Sequence, residues 1–105
     1  MIELNEITIT EPTRAIICMG IPSELNPRFG TYYECVLDPQ MLSPDGRMLR
    51  FDQTVQGGEV HGWQRVAELT VVELLGTVPE PARPEGVKLT EGAKIVIRGI
   101  ESWDA

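Results

Sequence analysis

A mainly β domain is the fold class that the sequence predicts, on three observations. Short segments alternate between apolar and polar residues, turn signals separate these segments, and the pattern leaves room for at most one short helical turn. Five or six strands at this spacing are typical of a small barrel or a two-layer β-roll, and we expect an OB-like or SH3-like barrel. The 105 residues suffice for one core, so we expect residues 1–105 to form a single domain.

The first predicted strand covers residues 2–10, read as IELNEITIT. Its apolar side chains change parity between Leu4 and Ile7. Because a strand that keeps one face buried cannot change parity without an extra residue, we expect a β-bulge near Asn5 and Glu6.

Two further strands are expected on either side of a proline-containing loop. Residues 15–19, read as AIICM, form a short apolar run, and residues 20–30 contain two prolines that exclude a long helix. Residues 31–38 alternate between the two faces and end at a proline, which predicts a half-buried strand. Tyr33, Cys35 and Leu37 alternate with Tyr32, Glu34, Val36 and Asp38.

Residues 43–46, read as SPDG, give the strongest local turn signal in the chain. Proline presets the second position of the turn, aspartate caps it with its side chain, and glycine accepts positive φ. The turn should close a hairpin whose second strand covers residues 47–55, with Leu49 and Phe51 pointing inward. Its outward positions are Met48, Arg50 and Asp52.

Residues 62–76, read as GWQRVAELTVVELLG, form the longest run without a breaker, and two interpretations compete for it. The apolar residues fit a helical period with Gly76 as the C-cap, and they also fit a central strand buried on both faces. We favour the strand, because residues 70–72 are consecutive β-branched residues and no capping residue begins a helix. A strand this long predicts a bend or bulge near Glu68.

The remaining segments are loops and one closing strand. Residues 57–62 are glycine-rich and should form a loop, and the three prolines in residues 78–86 predict an extended connection. Residues 93–98 alternate and predict the last strand.

Charge and cysteine content argue against several classes of function. A formal charge of −7 and a pI near 4.6 oppose binding to nucleic acid or to an anionic membrane. We see neither a secretory signal nor an apolar run of membrane-spanning length, so we expect a cytoplasmic protein without membrane contact. In that reducing compartment Cys18 and Cys35 should be two buried thiols.

No residue pattern predicts catalysis, a cofactor or a metal site. His61 is the only histidine, so a two-histidine zinc site is excluded. The serines and both cysteines lie in no nucleophile motif. Gly57, Gly58 and Gly62 match neither the dinucleotide fingerprint nor the phosphate loop, and the nearby Glu59 would repel phosphates.

Two surfaces remain as candidates for binding. Arginines on consecutive predicted strands lie near four aromatic residues, as on sheets that stack single-stranded bases, although the net charge opposes this function. These residues are Arg47, Arg50, Arg65, Tyr32, Tyr33, Phe51 and Trp63. Residues 62–76 contain more apolar side chains than one face of a small barrel can bury, which favours contact with a protein.

We therefore expect a non-enzymatic interaction module, self-associating as a homodimer or binding another protein. A small-molecule or single-stranded nucleic-acid binding OB-like barrel is the alternative. The expected binding residues are Trp63, His61, Arg65, Arg50 and Tyr32.

Overall fold

A computed structural model describes residues 3–20, 32–51, 54–55, 58–59 and 62–102. In these residues the regular structure consists of strands and two isolated 3-10 turns, which confirms the mainly β prediction. The strands are β1 (Glu3–Ile9), β2 (Thr13–Met19), β3 (Tyr32–Leu37), β4 (Met48–Phe51), β5 (Thr54–Val55), β6 (Gly58–Glu59), β7 (Gly62–Arg65), β8 (Leu69–Thr77) and β9 (Ile95–Ser102). The 3-10 turns are Pro39–Met41 and Val66–Glu68.

Five strands form one mixed sheet in the order β1-β9-β8-β2-β3. Neighbouring strands are antiparallel except β8 and β9, which run parallel over the pairs Thr70↔Arg98 and Val71↔Gly99. Parallel neighbours require a crossover, and residues 78–94 provide it without a helix. No closed barrel is found among the described strands, so the OB-like or SH3-like barrel stays a prediction.

The strand interpretation of residues 62–76 is confirmed, with a break where the bend was expected. The chain forms β7, a 3-10 turn that ends at Glu68, and then β8 at the centre of the sheet. Burial on both faces is restricted to residues 69–71, however, and the prediction is wrong for the rest of β8. Leu74 and Leu75 are 49% and 38% exposed, because the parallel pairing with β9 ends at Val71.

The bulge predicted in the first strand is misplaced. Pairing between β1 and β9 continues without a shift from Leu4 to Ile9, and the irregularity lies between Glu3 and Leu4. Leu4 and Ile7 therefore lie on opposite faces, and each is half-buried. The change of parity needs no bulge because both faces of this strand have some cover.

The turn predicted at residues 43–46 is present, but the hairpin that it should close is short. The Gly46 amide donates to the Ser43 carbonyl at 2.9 Å, and Gly46 has the positive φ expected of it. The arms meet only in an isolated bridge, Leu42↔Leu49. The turn at Pro39–Met41 separates β3 from this bridge, and β4 pairs with β7 instead.

The two small ladders share one register. Phe51 of β4 pairs with Gly62 of β7, and Thr54 of β5 pairs with Glu59 of β6. Thr54 follows Phe51 by as many residues as Glu59 precedes Gly62, so both pairs belong to the same register. We call the paired segments β4–β5 and β6–β7 the ribbon. The pairing continues at its base, where the Val66 amide donates to the Arg47 carbonyl at 2.9 Å.

The core lies between one face of the five-stranded sheet and a second layer formed by the two 3-10 turns and the base of the ribbon. Fully buried side chains from both layers meet there. They include Ala15, Ile17, Leu37, Leu49, Leu69 and Ile95, each at 0% exposure. Tyr33 and Cys35, which share one face of β3, also face this core.

Residues 78–94, which we call the connection, lie back against this core. Val87 packs on the core cluster. Arg83 forms two hydrogen bonds with Asp38, from Nε at 2.7 Å and from Nη2 at 3.2 Å. Gln40 donates to the Thr90 carbonyl at 2.9 Å and accepts from the Thr90 amide at 2.6 Å. The connection therefore covers part of the core with residues of the same chain.

Candidate functional site

The ribbon brings three of the five predicted binding residues together. Arg50 lies directly opposite Trp63, and Met48 lies directly opposite Arg65. Opposed residues share a face, and so do residues two apart on one strand, so these four side chains share one face. We call this face, formed by Met48, Arg50, Trp63 and Arg65, the outer face of the ribbon.

The reverse face of the ribbon points into the molecule. Leu49 is opposite Gln64 and is completely buried in the core, as predicted from the alternation of this strand. The outer face is consequently turned to solvent, with Trp63 at 50% exposure, Arg65 exposed and Arg50 half-buried. Half of a large aromatic surface is therefore left uncovered by the chain itself.

Tyr32 lies in a different place, on edge strand β3 of the five-stranded sheet and opposite Cys18. It lines a shallow depression of about 390 Å³ that also contains Arg14, Glu34 and Leu75. The prediction of one continuous aromatic and basic sheet is thus wrong, because Tyr32 and Tyr33 lie in one sheet and Trp63 lies in another. His61 lies outside the described residues, as does the side chain of Phe51.

An ion pair lies at the edge of the depression around Tyr32. Glu34 forms an ion pair with Arg14 on the neighbouring strand β2. This pair is exposed and closes one side of the depression around Tyr32.

Both cysteines are free and buried, as predicted. They lie on opposite faces of the sheet: Cys35 faces the core opposite Ala15, whereas Cys18 lies on the other face opposite Thr70. Burial, together with the nearby charge of Glu34, raises the pKa of Cys35 to about 12. Burial also raises the pKa of Cys18, against an opposing effect of Arg98. Neither thiol has the lowered pKa of a nucleophile.

A second arginine-rich surface lies beside the ribbon. An open groove of about 770 Å³ is bounded by the turn at residues 45–47, the 3-10 turn at Val66–Glu68 and strand β9. Three arginines line it: Arg47, Arg65 and Arg98. Arg98 lies in the predicted last strand, and local alternation cannot reveal that this strand lies next to β8.

Among the described residues, no group of three or more His, Cys, Asp or Glu side chains is placed to hold a metal ion. In the same part of the chain, no helix is long and apolar enough to cross a membrane.

Comparison of the chain with family models, with curated proteins and with solved structures gave no match. Proposals about function therefore depend on the geometry of this chain alone.

Proposed function

We propose that the chain is a non-enzymatic protein-interaction module that binds a second copy of itself through the outer face of the ribbon. The observation that carries the proposal is the half-exposed Trp63 on a face whose reverse side is fixed in the core by Leu49. A rigid backing allows an exposed aromatic to bind without a large loss of conformational entropy.

The composition of the outer face supports protein binding. Tryptophan, arginine and methionine are enriched at protein interfaces, and tryptophan and arginine dominate the hot spots of alanine scans. Trp63 and Arg50 are direct cross-strand partners, with Met48 and Arg65 beside them. An aromatic with adjacent arginines can bury apolar area and meet carboxylates in the same contact.

Local contacts between charges allow a second copy as the partner. The chain has 16 acidic and 9 basic residues, so two copies repel each other overall, but carboxylates of one copy can meet the arginines on the outer face of the other. Leu74 and Leu75 add exposed apolar surface at the end of β8. Because the connection already covers part of the core, the proposal depends on the outer face of the ribbon and not on an uncovered core.

The alternative proposal is a closed OB-like or SH3-like barrel that binds a small molecule or single-stranded nucleic acid. It has less support, because the aromatics form no single stacking surface and the charge of −7 opposes nucleic acid. For either proposal the two buried, unpaired thiols favour a cytoplasmic location.

Sedimentation of the wild type, Trp63→Ala and Leu89→Ala tests self-association. Leu89 is the matched control, because it is a large apolar residue, 68% exposed, on the connection. We expect the wild type to associate at micromolar concentrations and Leu89→Ala to behave identically. Trp63→Ala should weaken association by one or two decades, since burying one aromatic contributes about 2 to 3 kcal/mol. A wild type that stays monomeric at high micromolar concentration would end the proposal.

A further inference from the structure

Arg98 is held in one orientation by a buried hydroxyl group. Its Nε donates to Thr70 Oγ1 at 2.9 Å, and the same hydroxyl donates to the Gly20 carbonyl at 2.6 Å. Thr70 is completely buried, and the Gly20 amide is itself fixed by a bond to the Glu68 carbonyl at 2.5 Å. A hydroxyl that gives its single hydrogen to a carbonyl can only accept from Arg98, so the direction of each bond is determined.

The two terminal amino groups of Arg98 are left for another acceptor. Over the ranges that the structure describes, no ion pair engages Arg98, and its hydrogen bond to Thr70 uses only Nε. A guanidinium presents five donors in a planar fork, and this fork matches the two oxygens of an oxyanion. Arg98 is half-buried, so part of its hydration has already been removed.

The groove surrounds this guanidinium with cationic and apolar groups. Arg47 and Arg65 are exposed and line the groove together with Arg98. Its apolar lining includes Val66, Ala67 and Val96. The groove can therefore accept a negatively charged group that has aliphatic neighbours.

Asp45, the acidic residue that lines the same groove, is already engaged locally. Its carboxylate accepts from Ser43 Oγ at 2.6 Å and from the Arg47 amide at 3.0 Å. The hydrogen bond from Ser43, followed by that from the Arg47 amide, lowers the pKa of Asp45. Both hydrogen bonds end on Oδ1, and the charge of Arg47 also lowers the pKa of Asp45. Asp45 therefore offsets part of the charge of Arg47 and leaves that of Arg65 and Arg98 to the groove.

We infer that this groove is a carboxylate-binding site for an acidic peptide segment of a partner protein. Arg98 makes the bidentate contact, Arg47 and Arg65 flank it, and Thr70 is a positioning residue that holds Arg98 in place. The inference goes beyond self-association, because Arg98 and Thr70 lie in the five-stranded sheet and not on the ribbon.

The carboxylates around Arg98 favour an acidic peptide over a nucleic acid as the ligand. Glu6 lies opposite Arg98 on β1, and both line an adjoining depression of about 320 Å³. Glu68 lines another beside Arg98, and Asp45 lies in the groove itself. These carboxylates interrupt any path for a continuous phosphate backbone, which presents a charge at every nucleotide. A peptide can bring one or two carboxylates to Arg98 while its other carboxylates stay in solvent.

The test measures binding of a hexaglutamate peptide at low salt by calorimetry, with hexaglutamine as the uncharged control. We expect hexaglutamate to bind and hexaglutamine not to bind. Arg98→Lys should weaken hexaglutamate binding at least about tenfold, because lysine cannot form the fork. Arg14→Lys is the matched control, since Arg14 lies outside the groove beside Tyr32, and it should bind as the wild type does.

Variants of Thr70 separate positioning from folding. Thr70→Val removes the hydroxyl and should weaken binding about as much as Arg98→Lys, whereas Thr70→Ser retains the hydroxyl and should preserve binding. If Thr70→Val fails to fold, Arg98→Lys and Thr70→Ser still decide the outcome. Equal binding of hexaglutamate by wild type and Arg98→Lys would overturn the inference.

Two further probes test the chemistry of the ligand. Inorganic phosphate should bind more weakly than hexaglutamate, and a thymidine oligonucleotide of equal charge should not compete with it. Tighter binding of the oligonucleotide, lost in Arg98→Lys, would overturn the inference in favour of a nucleic-acid site. Arg65 belongs both to this site and to the outer face of the ribbon. At a concentration where the wild type is monomeric, Trp63→Ala should bind hexaglutamate normally, so failure of this site and failure of self-association are distinguishable.

Discussion

The ribbon and the connection are held to the molecule in opposite ways. The ribbon has regular strand pairing in one register, yet the described side chain that it buries completely is Leu49. The connection has no strand, yet polar contacts fix it at three separate points. Regular hydrogen bonding within a segment is therefore a poor guide to how firmly that segment is bound to the core.

The difference follows from where the hydrogen bonds go. In the ribbon they join its own two strands, and a two-stranded ribbon has little stability without a packed face. In the connection they join distant segments: the Val78 amide donates to the Pro12 carbonyl at 2.7 Å, and Arg83 reaches the buried Asp38. The connection thus completes the core, whereas the ribbon keeps one face available for a partner.

Replacement of Leu49 should produce the largest effect, because this side chain is the hydrophobic anchor of the ribbon. We expect Leu49→Ala to lower the free energy of unfolding by about 2 to 5 kcal/mol, from lost burial and from the cavity that remains. Urea unfolding measures this change. Leu89→Ala, at a leucine that is 68% exposed, should change it by less than about 0.5 kcal/mol. Similar values for both variants would mean that the ribbon is not anchored through Leu49.

Removal of the arginine that ties the connection to Asp38 should produce the next largest effect. Arg83→Ala leaves the carboxylate of Asp38, which is 4% exposed, with the Gln40 amide at 3.0 Å as its remaining described donor. We expect a loss of about 2 to 3 kcal/mol in urea unfolding, less than for a fully buried pair because Arg83 is partly exposed.

The exposed pair between Arg14 and Glu34 is the matched control for this prediction. Its two side chains are 55% and 33% exposed, so Arg14→Ala should cost no more than about 1 kcal/mol. If the two alanine variants had the same stability, the connection would be held by Val87 packing and not by its polar contacts.

Local features of the fold could be predicted from the sequence. The alternation of β3, the inward position of Leu49 and the break at Glu68 all follow from patterns within a few residues. Each depends on side-chain periodicity or on turn chemistry, which the local sequence determines.

Pairings between distant segments could not be predicted in this way. The bidentate contact from Arg83 to Asp38 and the hydrogen bond from Arg98 to Thr70 each join residues far apart in the chain. Alternation shows that a residue points outward but not which strand lies beside it. For this reason the groove around Arg98 was missed, and the aromatic residues of β3 and the ribbon were assigned to one sheet.

The proposal of self-association depends most on the claim that the outer face of the ribbon is not packed against other residues of its own chain. Unfolding of Trp63→Ala in urea, at a concentration where the wild type is monomeric, tests this claim directly. We expect a loss of about 1 kcal/mol, less than half that of Leu49→Ala, because Trp63 is 50% exposed and Leu49 is completely buried. Replacement of a core tryptophan by alanine costs about 3 to 5 kcal/mol. A loss of that size would contradict the claim and identify Trp63 as part of the core.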